Sequence, residues 1–280
     1  MATQQTAATQ SIDASGVRYA YRTLGPSSGT PLVMHIHFRA SMDFWDPALI
    51  NALAARRPVI IFDNAGVVKS SGEIPPTYQG WADSVITFVE ALGIKQIDLL
   101  GFSMGGCCVQ VVALTAPWLV RKLILAGTRA SQGPTMDTNS THPGPLAFLS
   151  SSNAPEDIEK SIAESFCYQT NGGRAAAQAS WERIHERAHD RSPFLNLEGL
   201  VYGNPNNSYN RLGELKMPVL VTNSDNDLLV STYHSWILMD RIKGLAGHGF
   251  LYQYAELFAS HIHIFLNSQI IEESGRGPKL

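Results

Sequence analysis

Lys95-Gln96-Ile97-Asp98-Leu99-Leu100-Gly101-Phe102-Ser103-Met104-Gly105-Gly106-Cys107-Cys108-Val109-Gln110-Val111-Val112-Ala113 is the stretch whose reading decides the fold. Gln96 to Leu100 is a short apolar run of strand type. Cys107 to Ala113 is a small-residue apolar run suited to a buried helix. A strand that turns within a few residues into a helix, with Gly-x-Ser-x-Gly at the corner, is a nucleophile elbow: it strains the serine backbone and presents the hydroxyl at the carboxyl edge of a sheet. Gly101 and Gly105 suit the corner because a Cβ at either place would crowd neighbouring backbone. The helix start aims amide donors at any anion formed beside Ser103.

Outward from that corner, composition sets the class. Of 280 residues, 44% are hydrophobic and 16% charged, which is ordinary globular content with ample material for a core. A net charge of −3 and a pI near 6.3 give no reason to expect nucleic acid or an anionic membrane as partner. No run approaches the roughly 18 apolar residues of a membrane span. Met1 to Gln10 lacks the basic start and apolar stretch of a secretory signal. Three cysteines, two of them the adjacent Cys107 and Cys108, make no disulfide framework. An intracellular protein is expected, with the sequons at Asn139 and Asn206 unmodified. The ending Pro278-Lys279-Leu280 resembles a relaxed peroxisomal address; the other reading is a chance ending on a polar tail.

Strand signals recur at Val17–Leu24, Pro31–His37, Arg57–Phe62, Val120–Ala126 and Met217–Thr222. Helical spacing marks Trp81–Leu92, Ser231–Ile242 and Phe250–Leu266. Strands alternating with helices predict an α/β fold, a doubly wound and mostly parallel sheet, with ligands bound beyond the carboxyl strand ends. From Arg129 to about Gly213 the composition turns polar, then helical around Pro155–Tyr168 and Gly173–His189, without a clear strand. The expected organisation is a core over 11–128 and 214–268, an inserted helical cap over 129–213, and flexible termini at 1–10 and 269–280.

A serine nucleophile needs a base and a carboxylate that orients the base, in the chain order Ser, Asp or Glu, His on this kind of sheet. Asn223-Ser224-Asp225-Asn226-Asp227 follows the strand at Pro218–Thr222 and offers two acids. Asp227 is favoured because it lies farther into the loop; Asp225, nearer the strand, suits bonding of local amides. Among nine histidines, His248 in Ala246-Gly247-His248-Gly249-Phe250 sits in a glycine-flanked loop before the final helix, and is the expected base. His35 and His37 read as structural, and His234, His261 and His263 fall within helices.

Taken together, these features resemble the α/β-hydrolase superfamily, particularly its cofactor-free esterase and haloperoxidase-like branch. The likeness covers about Val17 to Leu266 and rests on His37-Phe38-Arg39 with Trp45-Asp46, on Phe62-Asp63-Asn64-Ala65-Gly66 with Lys69-Ser70, on the elbow, on Pro218–Asp227, and on Gly247-His248-Gly249-Phe250. The resemblance implies Ser103 as nucleophile, Asp227 as acid and His248 as base. It also implies the amides of Phe38 and Met104 as oxyanion donors, no metal, no cofactor, and a bracing role for Asp63. Arg39, Phe102 and Trp181 are expected to touch substrate, and Phe148, Phe166 and Tyr168 are further cap aromatics.

Three departures from the family pattern stand out. Relatives carry Gly where this chain has Ala40, and often at Val68. The third is a gap. Asp227 and His248 are 248 − 227 = 21 residues apart. Ile242–Gly247 is too short for a strand with its turns, so the final edge strand is expected to be missing. His185-Glu186-Arg187-Ala188-His189 matches a zinc-protease spacing, but it lies on a charged helix with no third ligand beyond Glu198, and reads as a solvated face. Gly66-Val67-Val68-Lys69-Ser70 lacks the glycines of a phosphate loop. The expected protein is a serine hydrolase of an ester, lactone, thioester or C–C bond in a small apolar metabolite, acting alone or as a homodimer. The alternatives are non-hydrolytic biosynthetic chemistry on the same scaffold, or a ligand-binding protein without turnover.

Overall fold

The structure, a computed structural model, describes residues 2–131, 155–167, 170–187, 208–225 and 227–243, with positions 256, 259, 260, 262 and 266 of the last segment. Among the described residues seven strands form one sheet: β1 (Gln10–Ala14), β2 (Val17–Leu24), β3 (Leu32–His35), β4 (Val59–Phe62), β5 (Ile97–Phe102), β6 (Val120–Ala126) and β7 (Val219–Thr222). Their order is β1-β2-β4-β3-β5-β6-β7; the first two pairings are antiparallel and the rest parallel. The helices among the described residues are α1 (Pro47–Ala54), α2 (Tyr78–Ala91), α3 (Met104–Thr115), α4 (Pro155–Phe166), α5 (Asn171–His185) and α6 (Thr232–Arg241). None is long and apolar enough to cross a membrane.

β3 and β4 are buried along their whole length, so both faces of the sheet need apolar side chains. The period of two then sorts the core into two layers. Val33, Ile60, Phe62, Ile97 and Leu99 pack with Trp81, Val85, Phe88 and Val109 of α2 and α3. Leu32, Met34, Val59 and Ile61 pack on the other face with Ile50 and Ala54 of α1. Thr77 caps α2 by accepting from the Gly80 amide, and Asp46 caps α1 by accepting from the Ala48 amide, with Pro47 in the first turn.

Strand order reverses at β3, whose neighbours are β4 on one side and β5 on the other. The loops leaving β3 and β5 therefore diverge around a crevice, where ligands bind in open sheets of this type. α4 and α5, between β6 and β7 in the chain, lie over that edge. Trp181 of α5 packs edge-on to Phe44, and Arg183 makes two bonds to Asp46, at 2.9 and 2.7 Å.

The expected flexibility of residues 1–10 needs correction, and one strand went unread. The N-terminal residues are not loose: Gln4 and Ala7 are buried, Gln4 bonds Asn51 and Met42, and Arg187 donates to the Gln4 and Gln5 carbonyls. β1 went unread because its edge position exposes most of it, leaving almost no apolar alternation. β7 ends the sheet among the described residues. The short interval 244–250, the residues 269–280 and the tripeptide at 278–280 lie outside the described residues.

Beneath the edge is a buried charge cluster. Arg22 and Asp43, both with fully buried side chains, pair at 2.6 Å; Arg187 and Lys69 approach Asp43 at 3.6 and 3.9 Å. Asp63 braces the neighbouring loops, as its position implied. Its carboxylate accepts from the Met42 and Lys69 amides (2.8 and 3.3 Å), and its carbonyl accepts from Ser70 Oγ at 2.6 Å.

Candidate active site

Ser103 stands between β5 and α3 with φ 55° and ψ −121°, a conformation that a non-glycine residue adopts only where its surroundings impose it. Three bonds do so. The Ser103 amide donates to the Ala126 carbonyl at 2.9 Å, and the Ser103 carbonyl accepts from the Gly106 amide (2.9 Å) and from Thr128 Oγ1 (2.6 Å). Thr128 follows β6, which the parallel β5–β6 pairing brings beside the elbow. Ser103 makes no side-chain bond within its own helix cap.

The glycines are sterically required. A Cβ on Gly101 would lie 2.5 Å from the Gly105 carbonyl oxygen, and one on Gly105 would lie 2.3 and 2.5 Å from the carbonyl oxygens of His35 and Ile36. The first turn of α3 is thus pressed against the end of β3, where the loop carrying Phe38 begins. Gly106 is needed too, since its Cβ would meet the Thr128 side chain at 2.4 Å. In the Phe38 loop the left-handed backbone falls on Arg39 (φ 63°) rather than Ala40, while Val68 does take a positive φ of 39°.

Asp227 shares a cavity of about 440 Å³ with Ser103. Its Oδ1 accepts from the Leu229 and Val230 amides, both at 2.8 Å. Its Oδ2 lies near Gly127, 3.6 Å from where a Cβ on that residue would sit. Burial pushes the Asp227 carboxyl up, against the lowering effect of the two amides. Asp225 lines the same cavity but is exposed. The amide-binding role that sequence reasoning gave to Asp225 is filled by Asp227. Asn223 holds the loop by donating to the Val230 carbonyl at 2.9 Å. His248 lies outside the described residues, as do Phe148 and Tyr168.

A second, more apolar cavity of about 390 Å³ adjoins the first, with Trp181, Phe44, Trp45 and His37 in its wall. Phe102, Phe166 and Cys167 belong to both cavities and form the partition. His37 is wedged into that partition, with ring centroids 4.8 Å from Phe166 and 5.5 Å from Phe102. It donates from Nδ1 to the Phe38 carbonyl at 3.0 Å, and burial lowers its pKa to about 4, which keeps it neutral. His35 is lowered likewise to about 4, with Nδ1 donating to the Ile36 carbonyl and Nε2 accepting from Asn64. Phe38, Phe166, Trp181 and Leu229 pack against the buried Ile162 of α4, which joins the β3 loop, both overlying helices and the Asp227 loop in one cluster. Of the residues expected to touch substrate, Phe102 and Trp181 line these cavities. Arg39 is buried elsewhere in its loop and is absent from the described walls.

Comparison with known proteins agrees with this architecture. The family model for the alpha/beta hydrolase fold matches residues 30–152. An alpha/beta hydrolase fold protein from Chitinophaga pinensis is 34% identical; the alignment covers 96% of this chain and 100% of that one, with a TM-score of 0.76. A protein of Azorhizobium caulinodans named putative carbamate hydrolase RutD is 26% identical over 223 residues, 77% of this chain and 80% of its own. An esterase from Rhodococcus shares the fold at a TM-score of 0.64 with 22% identity, over 93% of this chain and 98% of that one. With the elbow, the sheet order and these likenesses together, the chain belongs to the α/β-hydrolase fold family of enzymes.

Proposed function

We propose that this protein is a serine hydrolase in which Ser103 is the nucleophile, Asp227 the acid and His248 the base. Its substrate would be an ester, lactone, thioester or C–C bond of a small, uncharged, largely apolar metabolite. The observation that carries the reading is Ser103 itself: its strained backbone is held by three bonds in the wall of a cavity that also contains Asp227. A strained conformation fixed this way is retained where it serves a purpose, and presenting a hydroxyl is the purpose this corner suits.

In this reading Ser103 Oγ attacks the carbonyl carbon as His248 takes its proton. The resulting imidazolium is stabilised by Asp227, whose Oδ2 is not engaged by the two loop amides. The oxyanion is held by the Met104 and Phe38 amides, each worth about 3 kcal/mol of transition-state stabilisation. His248 returns its proton to the leaving group, and water activated by the same imidazole then releases the acyl group as acid. α4 and α5 act as a cap that supplies apolar lining through Phe166 and Trp181. No Lys or Arg occurs among the described lining residues of either cavity, which favours neutral substrates. The curated relatives' name raises a carbamate as substrate; two adjoining cavities of about 440 and 390 Å³ suit a considerably larger acyl compound.

A fluorophosphonate probe and short p-nitrophenyl esters test this directly. Wild type should be labelled and turn over, and Ser103→Ala should lose labelling together with at least about 10⁴-fold in kcat. Labelling without hydrolysis of any acyl substrate would instead point to non-hydrolytic chemistry on the same serine. Failure of both would leave a binding protein.

A further inference from the structure

Ser165, in the last turn of α4, forms part of the wall of the cavity that holds Ser103 and Asp227. It is 5% exposed, and its Oγ is buried with no hydrogen-bond partner among the described residues. Helical serines usually point to solvent or bond back to the carbonyl four residues earlier. Ser165 does neither, and an unpaired buried hydroxyl is unfavourable in the free protein. Several other polar groups nearby are engaged. Asp227 Oδ1 receives two amides, Asn223 receives the Ser224 amide and donates to Val230, and Thr128 is bonded to the Ser103 carbonyl. A hydroxyl on a single rotatable bond can turn to meet a ligand at little cost.

Its place relative to the two cavities indicates which part of a ligand it meets. The apolar cavity lies on the side of His37 and Trp181 and suits the acyl chain. The Ser165 cavity is lined by Asp227, which the proposed function makes the acid of the proton relay, and so suits the departing group. With no Lys or Arg among the described lining residues, an anionic leaving group would find no counter-charge there.

We infer that Ser165 is a specificity-determining residue that hydrogen-bonds a neutral ether, hydroxyl or carbonyl oxygen on the leaving group, while an apolar acyl chain fills the Trp181 cavity. This rests on Ser103 being the nucleophile. The matched probes are the butyl and 2-methoxyethyl esters of 3-phenylpropanoic acid, which differ by one methylene exchanged for oxygen. After correction for their alkaline hydrolysis rates, wild type should favour the methoxyethyl ester in kcat/KM by about two- to tenfold. Ser165→Ala should bring the ratio close to one, and Ser165→Thr, which keeps the hydroxyl, should retain the preference. A ratio identical in wild type and Ser165→Ala overturns the assignment.

Two readouts separate this from the hydrolase reading. Calorimetric binding of the same two esters to Ser103→Ala measures the preference without turnover. Thermal melting measures the hydroxyl without any ligand: if it is unpaired, Ser165→Ala melts no lower than wild type, because alanine is also the better helix former. A lower melting temperature for Ser165→Ala would show that the hydroxyl has a structural partner, which also overturns the proposal.

Discussion

Gly105 shows how little freedom the elbow leaves a single residue. A methyl group there would meet the His35 and Ile36 carbonyl oxygens at 2.3 and 2.5 Å, and both belong to backbone that cannot rotate away. Gly105→Ala should therefore cost about 1–3 kcal/mol and move the Met104 amide, lowering both melting temperature and kcat. An unchanged melting temperature would mean that α3 is not seated on β3. Gly101, Ser103 and Gly105 were legible from sequence because the constraint is local to one strand–helix corner. Thr128 was not. Its bond to the Ser103 carbonyl exists because β6 pairs with β5, and nothing in Gly127-Thr128 alone announces that neighbour. Ser165 was equally invisible, since a serine's lack of a partner is a property of packing. For the acid, distance along the loop chose Asp227 over Asp225, but could not show that Asp227 also binds the loop's own amides.

At the scale of elements, α5 is anchored by contacts of unequal strength. Arg183 and Asp46 are both partly exposed, with side chains 35% and 28% accessible, so Arg183→Ala should cost no more than about 1 kcal/mol. Asp43 differs because Arg22 beside it is wholly buried. Asp43→Ala strands that guanidinium and should cost about 3–5 kcal/mol, whereas replacing Arg22 and Asp43 together by apolar residues should recover much of the loss. Chemical denaturation of the three variants measures this ordering, and equal losses for Arg183→Ala and Asp43→Ala would contradict it. The central strands β3 to β6 were readable because burial on both faces demands unbroken apolar runs. β1 was not, because its exposed edge position leaves little apolar alternation, and the tied N-terminal residues were not, because Arg187, which holds them, is some 180 positions distant in the chain.

At the scale of the whole molecule, the deeply buried His35, His37 and Asp63 carry the largest effect of pH on stability among the described residues. His35 and His37 fall from 6.5 to about 4, so the stability they supply is present above pH 6.5 and is lost as pH drops through 4; each is worth about 3 kcal/mol over that window. Asp63 is raised by burial from 3.8 to about 7, so its contribution is present below 3.8 and is lost as pH rises through 7. From pH 4 to 6.5 two imidazoles oppose one carboxyl, and the net proton count makes stability rise with pH. Near pH 7 the two effects cancel and stability levels off. Melting temperatures should rise from pH 4 to about 7 and then flatten, and Asp63→Asn, which removes the opposing carboxyl, should steepen the rise. A wild-type melting temperature that falls between pH 4 and 6.5 would contradict the balance.

One junction has a consequence for how such a protein diversifies. Ser131 and Ser208 bond each other reciprocally: each amide donates to the other's hydroxyl, at 2.9 and 2.7 Å, and the Ser208 hydroxyl donates to Gln110 of α3 at 2.6 Å. The chain therefore leaves the core and returns to it at one sealed point, fastened to the helix that begins at the elbow. Loop-closure cost grows only slowly with length, so the core is almost indifferent to how much polypeptide hangs from that point. The polypeptide between Ser131 and Ser208 can then vary in length while the serine below keeps its posture, provided that the ties of Arg183 to Asp46 and of Arg187 to the Gln4 and Gln5 carbonyls are kept.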